Sequence, residues 1–457
     1  MSRSGNVEVV VDVSRCLDVV RKLEKCDVIA VDAEGVQLGK DGPLTLLQVG
    51  TIDHDVFLFD IHVNKDLFTK GRLQDILTSN RIIKVMHSCS GDSAALYYQF
   101  NIRLHNVFDT QVANLVIEER KGRELVPLMK LDDLCQKYSS VAKVADEKDA
   151  VKNTWVREIG DLWAKRPLSD EMIHYAAGDV TAIVPDVYNT MKRSIEEAGL
   201  LDQFNKRVEE EILYTFDEMM KEQRRTRVKE AKDRVLRTVD KSYPSDIAFK
   251  DIEDEDVKMA IARAHMNDVE KLSPFINRLK RENIAQNLDE LEDSFVSEGG
   301  IFDIVNGRFS SSLKTAYSCK EPAIQDRTKK LQARVIQITL DNITKKYDVT
   351  SPVTYLSSHE KDILNWMRPN PSGERDPRYS KVVLALYWKL MEADLDATIQ
   401  KLEQETHAFR MNEGHYKKIK FYMHQRTQVP APIKVKALNF VRRLDKTFGR
   451  GVVPRKQ

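Results

Sequence analysis

Short runs of apolar residues separated by turn sequences dominate the first hundred residues. The runs that begin at Val28, Leu44 and Val56 predict three strands joined in a meander, because the segments GKDGP and TIDHD between them are rich in turn-forming residues. The further predicted elements are a helix over Leu73–Leu77, a strand over Ile82–Met86, a helix over Asp92–Phe100 and a short strand around Val107. This alternation is typical of a mixed α/β sheet flanked by helices.

From Thr110 onward the apolar spacing is mostly helical, which predicts that the first domain covers residues 6–205. Residues 206–244 interleave charged and apolar positions at helical spacing and are predicted to form a charged, exposed connecting helix. Residues 245–405 are predicted to form a second, helical domain, and residues 406–457 a basic C-terminal tail. The predicted fold class is therefore α/β, followed by a mostly α-helical C-terminal half.

Charge is distributed unevenly along the chain. The 72 Lys and Arg nearly balance the 71 Asp and Glu, but residues 1–204 carry an acidic excess and the remainder a basic one. In the basic tail, lysines alternate with aromatic residues in HYKKIKFYM, a composition suited to phosphate contacts and base stacking. An amphipathic helix packed on the second domain is the alternative interpretation. The candidate nucleic-acid-binding residues of the tail are Lys417, Lys418, Lys420, Arg426, Arg442 and Arg443.

The five cysteines lack the CxxC spacing of a structural zinc site and are too sparse to cross-link a chain of 457 residues. They favour a reducing compartment. The N-terminal segment has no apolar signal region, and no apolar run is long enough to span a bilayer. We therefore expect a cytoplasmic or nuclear protein without a membrane partner.

Acidic residues occur at three positions where strands end or helices pack. In VDAEG, Asp32 and Glu34 are two positions apart on a predicted strand, so both carboxylates project from one face. Asp92 follows a strand at the opening turn of a helix, where it could equally act as a helix cap. Tyr175 and Asp179 are four residues apart on a predicted helix and share a face. Each of these patterns alone is common on protein surfaces.

Together, the D-x-E pair, the later Asp and the Y-x-x-x-D pair resemble, in order and approximate spacing, the ribonuclease D-like, tyrosine-type branch of the DEDD 3′–5′ exonucleases. The flanking segments LTLLQVG, KVMHSCSGD, VFDTQVAN and WAKRPLSDEMIHYAAGDV resemble that family as well. Egalitarian-like and exonuclease-domain-containing animal proteins are the closest branch. The resemblance covers roughly residues 6–205 and implies a ribonuclease H-like fold.

The resemblance also implies a two-metal site. Hard cations such as Mg²⁺ or Mn²⁺ prefer carboxylate oxygen, and four carboxylates suit two ions. By resemblance Asp32 would bridge both ions, Glu34 and Asp179 would complete the site of the attacking water, and Asp92 would support the second ion. Tyr175 would orient the water through its protonated hydroxyl. These five residues are the predicted catalytic set, and the four acids are the predicted metal ligands.

Other polar residues near these motifs are expected to be structural. We expect His87 to be a hydrogen-bonded core histidine, and Asp109 to act as a turn or cap residue. Trp163 and Arg166 are expected to fix the helix that carries Tyr175 and Asp179.

Two functions follow from these predictions. The first is a metal-dependent 3′–5′ exonuclease acting on RNA, or on DNA, with single-stranded RNA as the expected partner. The alternative is an Egalitarian-like RNA-binding adaptor for RNA transport or regulation, in which the exonuclease fold holds RNA without turnover and the helical C-terminal half recruits protein partners. Four intact carboxylates favour the enzyme, because without metal they would repel a phosphate backbone.

Overall fold

A computed structural model describes residues 6–36, 38–40, 42–140, 162–296, 315–366, 379–407, 413–423 and 429–448. The strands are β1 (Val7–Val10), β2 (Val28–Gly35), β3 (Leu44–Thr51), β4 (Val56–Phe59), β5 (Ile83–Met86) and β6 (Val107–Asp109). The helices of the N-terminal part are α1 (Val13–Leu23), α2 (Asp66–Thr69), α3 (Leu73–Leu77), α4 (Ser90–Phe100), α5 (Thr110–Arg120), α6 (Leu131–Tyr138), α7 (Asp170–Ile183), α8 (Asp186–Glu197) and α9 (Leu201–Leu213).

The remaining helices occupy the C-terminal half. They are α10 (Glu218–Ser242), α11 (Glu255–Arg263), α12 (Met266–Val269), α13 (Pro274–Val296), α14 (Pro322–Lys346), α15 (Ser358–Trp366), α16 (Lys381–His407), α17 (Glu413–Met423) and α18 (Ala431–Phe448). Short 3₁₀ turns lie at Leu162–Ala164, Phe249–Asp251 and Val353–Tyr355. The predicted helical character of this half is confirmed.

The six strands form one mixed sheet in the order β1-β4-β3-β2-β5-β6. The meander β2-β3-β4 is antiparallel, whereas β5 pairs parallel to β2, β6 parallel to β5, and β1 parallel to β4. This arrangement confirms the ribonuclease H-like mixed sheet. The first strand and α1 complete the sheet domain; α1 is a helix that the sequence interpretation did not identify.

The sheet is covered by helices on its faces, and the central strand β3 is buried along its whole length. Helix α7 packs across β2, β3 and β4. Gly50 of β3 permits this close approach, because a Cβ atom at that position would lie 3.0 Å from Cγ2 of Val180. A small residue in the sheet thus lets α7 lie directly over the strand that carries Asp32 and Glu34.

The described residues divide into two compact units, one up to Arg327 and one from Thr328 onward. The sheet core continues beyond the predicted boundary at residue 205, since Phe204, Val208 and Ile212 of α9 are part of it. In residues 206–244, predicted as an exposed connecting helix, α10 buries Val235 and Val239 against α11. Residues 245–405, predicted as one module, contribute to both units.

Among the described residues, the second unit includes two clusters of buried apolar side chains. One is formed by α14, α15 and α16, and includes Leu340, Leu364 and Leu386. The other is formed by α16, α17 and α18, and includes Ile419 and Phe440. None of the helices in the described part of the chain combines the length and the apolar character that crossing a bilayer requires.

Lys84 of β5 is a fully buried lysine in the middle of the sheet domain. Its ammonium donates to the backbone oxygens of Ser79, at 2.5 Å, and Ile82, at 2.8 Å. Burial lowers the pKa of Lys84 from 10.5 to about 7. Above pH 7 the unfolded chain therefore binds more protons at this residue than the folded one, so the stability of the sheet should rise with pH.

We expect the opening free energy of the β5 amides to increase by about 2 kcal/mol between pH 7 and pH 9, because each unit of pKa difference contributes about 1.4 kcal/mol. Hydrogen exchange, corrected for the intrinsic pH dependence, measures this quantity. In K84M the opening free energy should no longer increase with pH. In the control K70M, which removes an exposed lysine, the increase should remain. The same pH response in K84M as in K70M would contradict the assignment.

Candidate active site

The strand β2 supplies two carboxylates. Asp32 and Glu34 are half-buried, and both lie on the face of β2 against which α7 packs. The register of β2 with β3 shifts between Glu34 and Gly35, so regular pairing is interrupted immediately after Glu34. This end of the strand thus presents both carboxylates to one space.

Helix α7 brings the third carboxylate to the same space. Its N-cap Ser169 accepts a hydrogen bond from the backbone N–H of Met172 at 3.3 Å, which fixes where the helix begins. Asp179, almost three turns later, is buried. One carboxylate oxygen each from Asp32, Glu34 and Asp179 lies within 4.8 Å of the other two. Side chains almost 150 positions apart in sequence therefore converge.

Asp92 is the fourth predicted acid, and it lies in the first turn of α4, immediately after β5. Its carboxyl is buried, and its pKa is raised well above the usual value by burial, then by the negative charges of Asp32 and Asp109. Asp92 therefore faces Asp32, although it is not among the three residues whose oxygens converge within 4.8 Å. It therefore lies near the three converging carboxylates without being one of them.

Tyr175, one turn before Asp179 on α7, also faces the carboxylates. Burial raises its pKa, and the negative charges of Glu34, Asp179 and Asp32 raise it further. The phenol is consequently protonated at neutral pH and can donate its proton in a hydrogen bond. The ring of Trp163, which is itself buried, lies 5.9 Å from that of Tyr175, centroid to centroid.

The segment before α7 is fixed to the sheet by Arg166. Its guanidinium forms two parallel bonds with Asp60, at 2.5 and 2.7 Å, and Asp60 is buried at the end of β4. The same guanidinium donates to the backbone oxygens of Trp163, at 3.0 Å, and Thr45, at 3.2 Å. Arg166 therefore links β3, β4 and the turn that precedes α7. These contacts agree with the expected structural role of Arg166 and Trp163.

Gln48 is a buried polar residue that the sequence interpretation did not identify. It pairs directly with Asp32 across β2 and β3, so the two side chains share one face. Its side chain is fully buried, and neither its Nε2 nor its Oε1 has a hydrogen-bond partner among the residues that the structure describes. A buried amide without partners is costly. A water or hydrated ion beside Asp32 would supply those partners, which fits a site that holds a divalent cation.

Two residues near the acidic pocket are occupied by the fold itself. Asp109 caps α5 by accepting from the backbone N–H groups of Gln111 and Val112, and also from that of Cys89 at 2.7 Å. His87 lies with Nδ1 2.9 Å from Oγ1 of Thr110 and Nε2 3.2 Å from a backbone oxygen. Both accord with the structural roles expected of them.

The candidate residues of the basic tail lie on helices rather than on an extended segment. In α17, Lys418 pairs with Asp394 of α16 at 2.7 Å, and Lys420 lies over the ring of Tyr416. In α18, Arg443 pairs with Glu403 at 3.0 Å. Lys417 and Arg442 are exposed, and Arg426 lies outside the described residues. The structure thus favours the alternative of amphipathic helices packed on the second unit.

The sequence was compared with known protein families and with individual proteins. Residues 7–196 match the sequence profile of a family described as 3′–5′ exonuclease. The human piRNA biogenesis protein EXD1 is 32% identical over 165 residues, which are 36% of this chain and 32% of that protein. Ribonuclease D of Haemophilus influenzae is 27% identical over 188 residues, which are 41% of this chain and 42% of that protein.

A third relative is the Egalitarian protein homolog of Caenorhabditis elegans, 28% identical over 110 residues, which are 24% of this chain and 19% of that protein. The match spans about a third of the length of the EXD1 proteins of human, mouse and Xenopus laevis. The family profile covers the chain from β1 to α8. Residues 7–196 are therefore a 3′–5′ exonuclease domain related to those of ribonuclease D, Egalitarian and EXD1.

Proposed function

We propose that this protein is a divalent-metal-dependent 3′–5′ exonuclease that hydrolyses the terminal phosphodiester bond at the 3′ end of RNA. The observation that carries the proposal is the convergence of Asp32, Glu34 and Asp179 within 4.8 Å. RNA is the proposed substrate because the related proteins include a ribonuclease and a protein named for piRNA biogenesis.

The carboxylates would hold two ions, either Mg²⁺ or Mn²⁺. Oxygen ligands and a high negative charge are what these hard cations prefer. Asp32 would serve both ions, a role supported by its closeness to Glu34 and Asp179 and by its electrostatic interaction with Asp92. Bound cations would supply Lewis acidity that activates a water and stabilises the leaving 3′ oxygen. Hydrolysis would release a 5′-mononucleotide and leave a strand shortened by one residue.

The chain's own groups have distinct tasks in this proposal. Asp92 would bind an ion as a carboxylate, and a bound cation would favour that charged form against the burial and the neighbouring negative charges that raise its pKa. The Tyr175 hydroxyl donates a hydrogen bond and orients the attacking water, since the pocket keeps it protonated. The ring of Trp163 packs near that of Tyr175, and Arg166 holds the backbone of Trp163 in place.

Y175F should lower turnover about ten- to hundredfold, because one hydrogen bond to a charged or developing-charge group contributes about 1.5–3 kcal/mol. The ratio of wild-type to Y175F turnover should be constant between pH 6 and pH 9, since the phenol does not titrate there. Manganese affinity, measured by titration calorimetry, should stay within about twofold of the wild type. A loss that grows with pH, or an equal loss of metal affinity, would contradict the orienting role.

A degradation assay on RNA tests the proposal itself. Single-stranded RNA labelled at its 5′ end should shorten stepwise with Mg²⁺ or Mn²⁺ and remain intact in EDTA. The same RNA with a 3′-terminal phosphate should resist, because no free 3′ hydroxyl is available, and a DNA strand of equal sequence measures the sugar preference.

The Egalitarian-like adaptor is the alternative that this assay decides. If RNA binds to the full chain but does not shorten with either metal, the protein uses its exonuclease fold for binding only, and the hydrolytic proposal is wrong.

A further inference from the structure

A cavity lined by arginines lies in the first unit, and the proposed hydrolysis makes no use of it. Its volume is about 610 Å³. The wall is formed by the end of α5, the segment after it, α9, α10 and α11. Its charged lining residues are six arginines and only two glutamates: Arg123, Arg207, Arg224, Arg227, Arg234, Arg263, Glu119 and Glu124.

Five of these arginines form ion pairs within the fold. Three of the partners do not line the cavity, although their arginines do: Glu210, Glu211 and Asp256. The carboxylates thus fix guanidinium groups along the wall, and each guanidinium has five N–H donors, more than one carboxylate uses. The shortest contacts are Arg123–Asp256 at 2.9 Å, Arg207–Glu119 at 2.9 Å, Arg224–Glu211 at 2.5 Å, Arg227–Glu210 at 2.6 Å and Arg234–Glu124 at 2.9 Å.

Two features exceed what an internal ion-pair network needs. Arg263, at the end of α11, lines the cavity, is exposed, and has no hydrogen bond or ion pair to any described residue. Nη2 of Arg123 is buried and has no hydrogen-bond partner among the described residues. An unpaired guanidinium and an unused buried donor therefore border the same cavity. The buried donor is costly unless a bound molecule satisfies it, and an anion would satisfy both groups at once.

We propose that the arginine cavity binds a phosphoryl group. Arginine forks match phosphate oxygens with two parallel hydrogen bonds, and a cluster of guanidiniums held in place by carboxylates needs little reordering when the anion enters. The volume exceeds that of one phosphate, so a nucleotide unit with its phosphate also fits. The source is either a nucleic-acid strand or a free phosphorylated molecule. This inference does not depend on hydrolysis at the carboxylates.

Binding to the full chain in EDTA tests the inference, because no metal is then available for turnover and a failure of the proposed function does not affect the result. The probes are inorganic phosphate, measured by titration calorimetry, and a short RNA with either a 5′-phosphate or a 5′-hydroxyl, measured by fluorescence anisotropy. R263Q should weaken phosphate binding about tenfold, since it removes the unpaired guanidinium and its charge-assisted hydrogen bonds.

The matched control is R225Q. Arg225 is exposed on α10, has its nearest partner Glu222 at 3.9 Å, and does not line the cavity. R234Q is a second test, because its ion pair with Glu124 is exposed and its loss should leave the fold intact. We expect R234Q to weaken phosphate binding severalfold and R225Q to leave it unchanged.

The two probes also identify the source of the phosphoryl group. If RNA binding is weakened both by R263Q and by loss of the 5′-phosphate, the cavity holds the 5′ end of a strand. If it is weakened by R263Q but not by loss of the 5′-phosphate, the cavity holds phosphates within the strand. If R263Q weakens the binding of inorganic phosphate but not the binding of RNA, the cavity holds a free phosphorylated molecule. If R263Q and R234Q bind every probe as tightly as R225Q does, the cavity is an internal ion-pair network and the inference is wrong. If R263Q does not fold, the comparison of R234Q with R225Q decides whether the cavity binds phosphate.

Discussion

Asp32→Asn should lower exonuclease turnover on the order of a thousandfold or more, because it removes the carboxylate that clusters with Glu34 and Asp179 and also interacts electrostatically with Asp92. The variant should fold, since neutralising one of several clustered negative charges reduces their repulsion. Manganese affinity, measured by titration calorimetry, should fall together with turnover. Single-turnover degradation of 5′-labelled RNA gives the rate of the chemical step.

Asp170→Asn is the matched control for this variant. Asp170 lies in the first turn of α7, the helix that carries Asp179, but it is exposed and outside the carboxylate cluster. Its neutralisation should change turnover by less than about threefold, as expected for an exposed first-turn acid. Undiminished activity of the Asp32 variant with either metal would show that the nuclease reaction takes place elsewhere or not in this protein.

Arg166→Met should destabilise the sheet domain by about 3 kcal/mol, the second large effect that we expect. The substitution leaves the buried carboxylate of Asp60 without its bidentate partner, and an uncompensated buried charge is strongly unfavourable. Because Arg166 also donates to the backbone of Trp163 and Thr45, the turn before α7 should loosen. Turnover should therefore fall as well, through misplacement of Tyr175 and Asp179.

Hydrogen exchange of the sheet amides measures the stability change. Arg15→Met is the control, since Arg15 forms a similar double contact with Glu8 at an exposed position and its loss should cost less than about 1 kcal/mol. Asp60→Asn in the Arg166→Met background should recover part of the lost stability by removing the unpaired charge. If the two arginine variants are equally stable, Arg166 does not act through Asp60.

The sequence was sufficient to predict most of the sheet domain. The alternation of apolar and polar residues identified β2, β3, β4, β5 and β6, because each strand is buried on at least one face. The three converging acids could be anticipated only as a set, since D-x-E or Y-x-x-x-D alone describes many exposed strand ends and helix faces. Their order along the chain was the informative signal.

Gln48 and the arginine cavity could not be predicted in the same way. Gln48 is informative because it faces Asp32 across two strands and lacks partners, and both facts require the register of the sheet. The cavity assembles arginines from α9, α10 and α11 with the end of α5, and no local pattern links these segments. A search for apolar strand positions occupied by an amide would have singled out Gln48.

The basic tail shows that a composition suited to nucleic-acid contact can also form packed helices. Lysines and aromatic residues at close spacing suit nucleic-acid contact, but the same spacing buries Ile419 and Tyr422 when the segment is helical. The hydroxyl of Tyr422 donates to Asp394 at 2.9 Å, so one of the tail's aromatic side chains is used within the second unit. Its nucleic-acid-binding role stays a prediction.

The origin of the carboxylates on β2 and α7 has a consequence for how the protein is made. A nascent polypeptide that has just emerged with β2 carries only Asp32 and Glu34, and Asp179 follows after the rest of the sheet has been translated. Half a site has too few ligands to retain a divalent cation in competition with water. Under the proposed function, the growing chain should therefore not cleave the messenger or the ribosomal RNA beside it before α7 has left the exit tunnel and docked over Gly50.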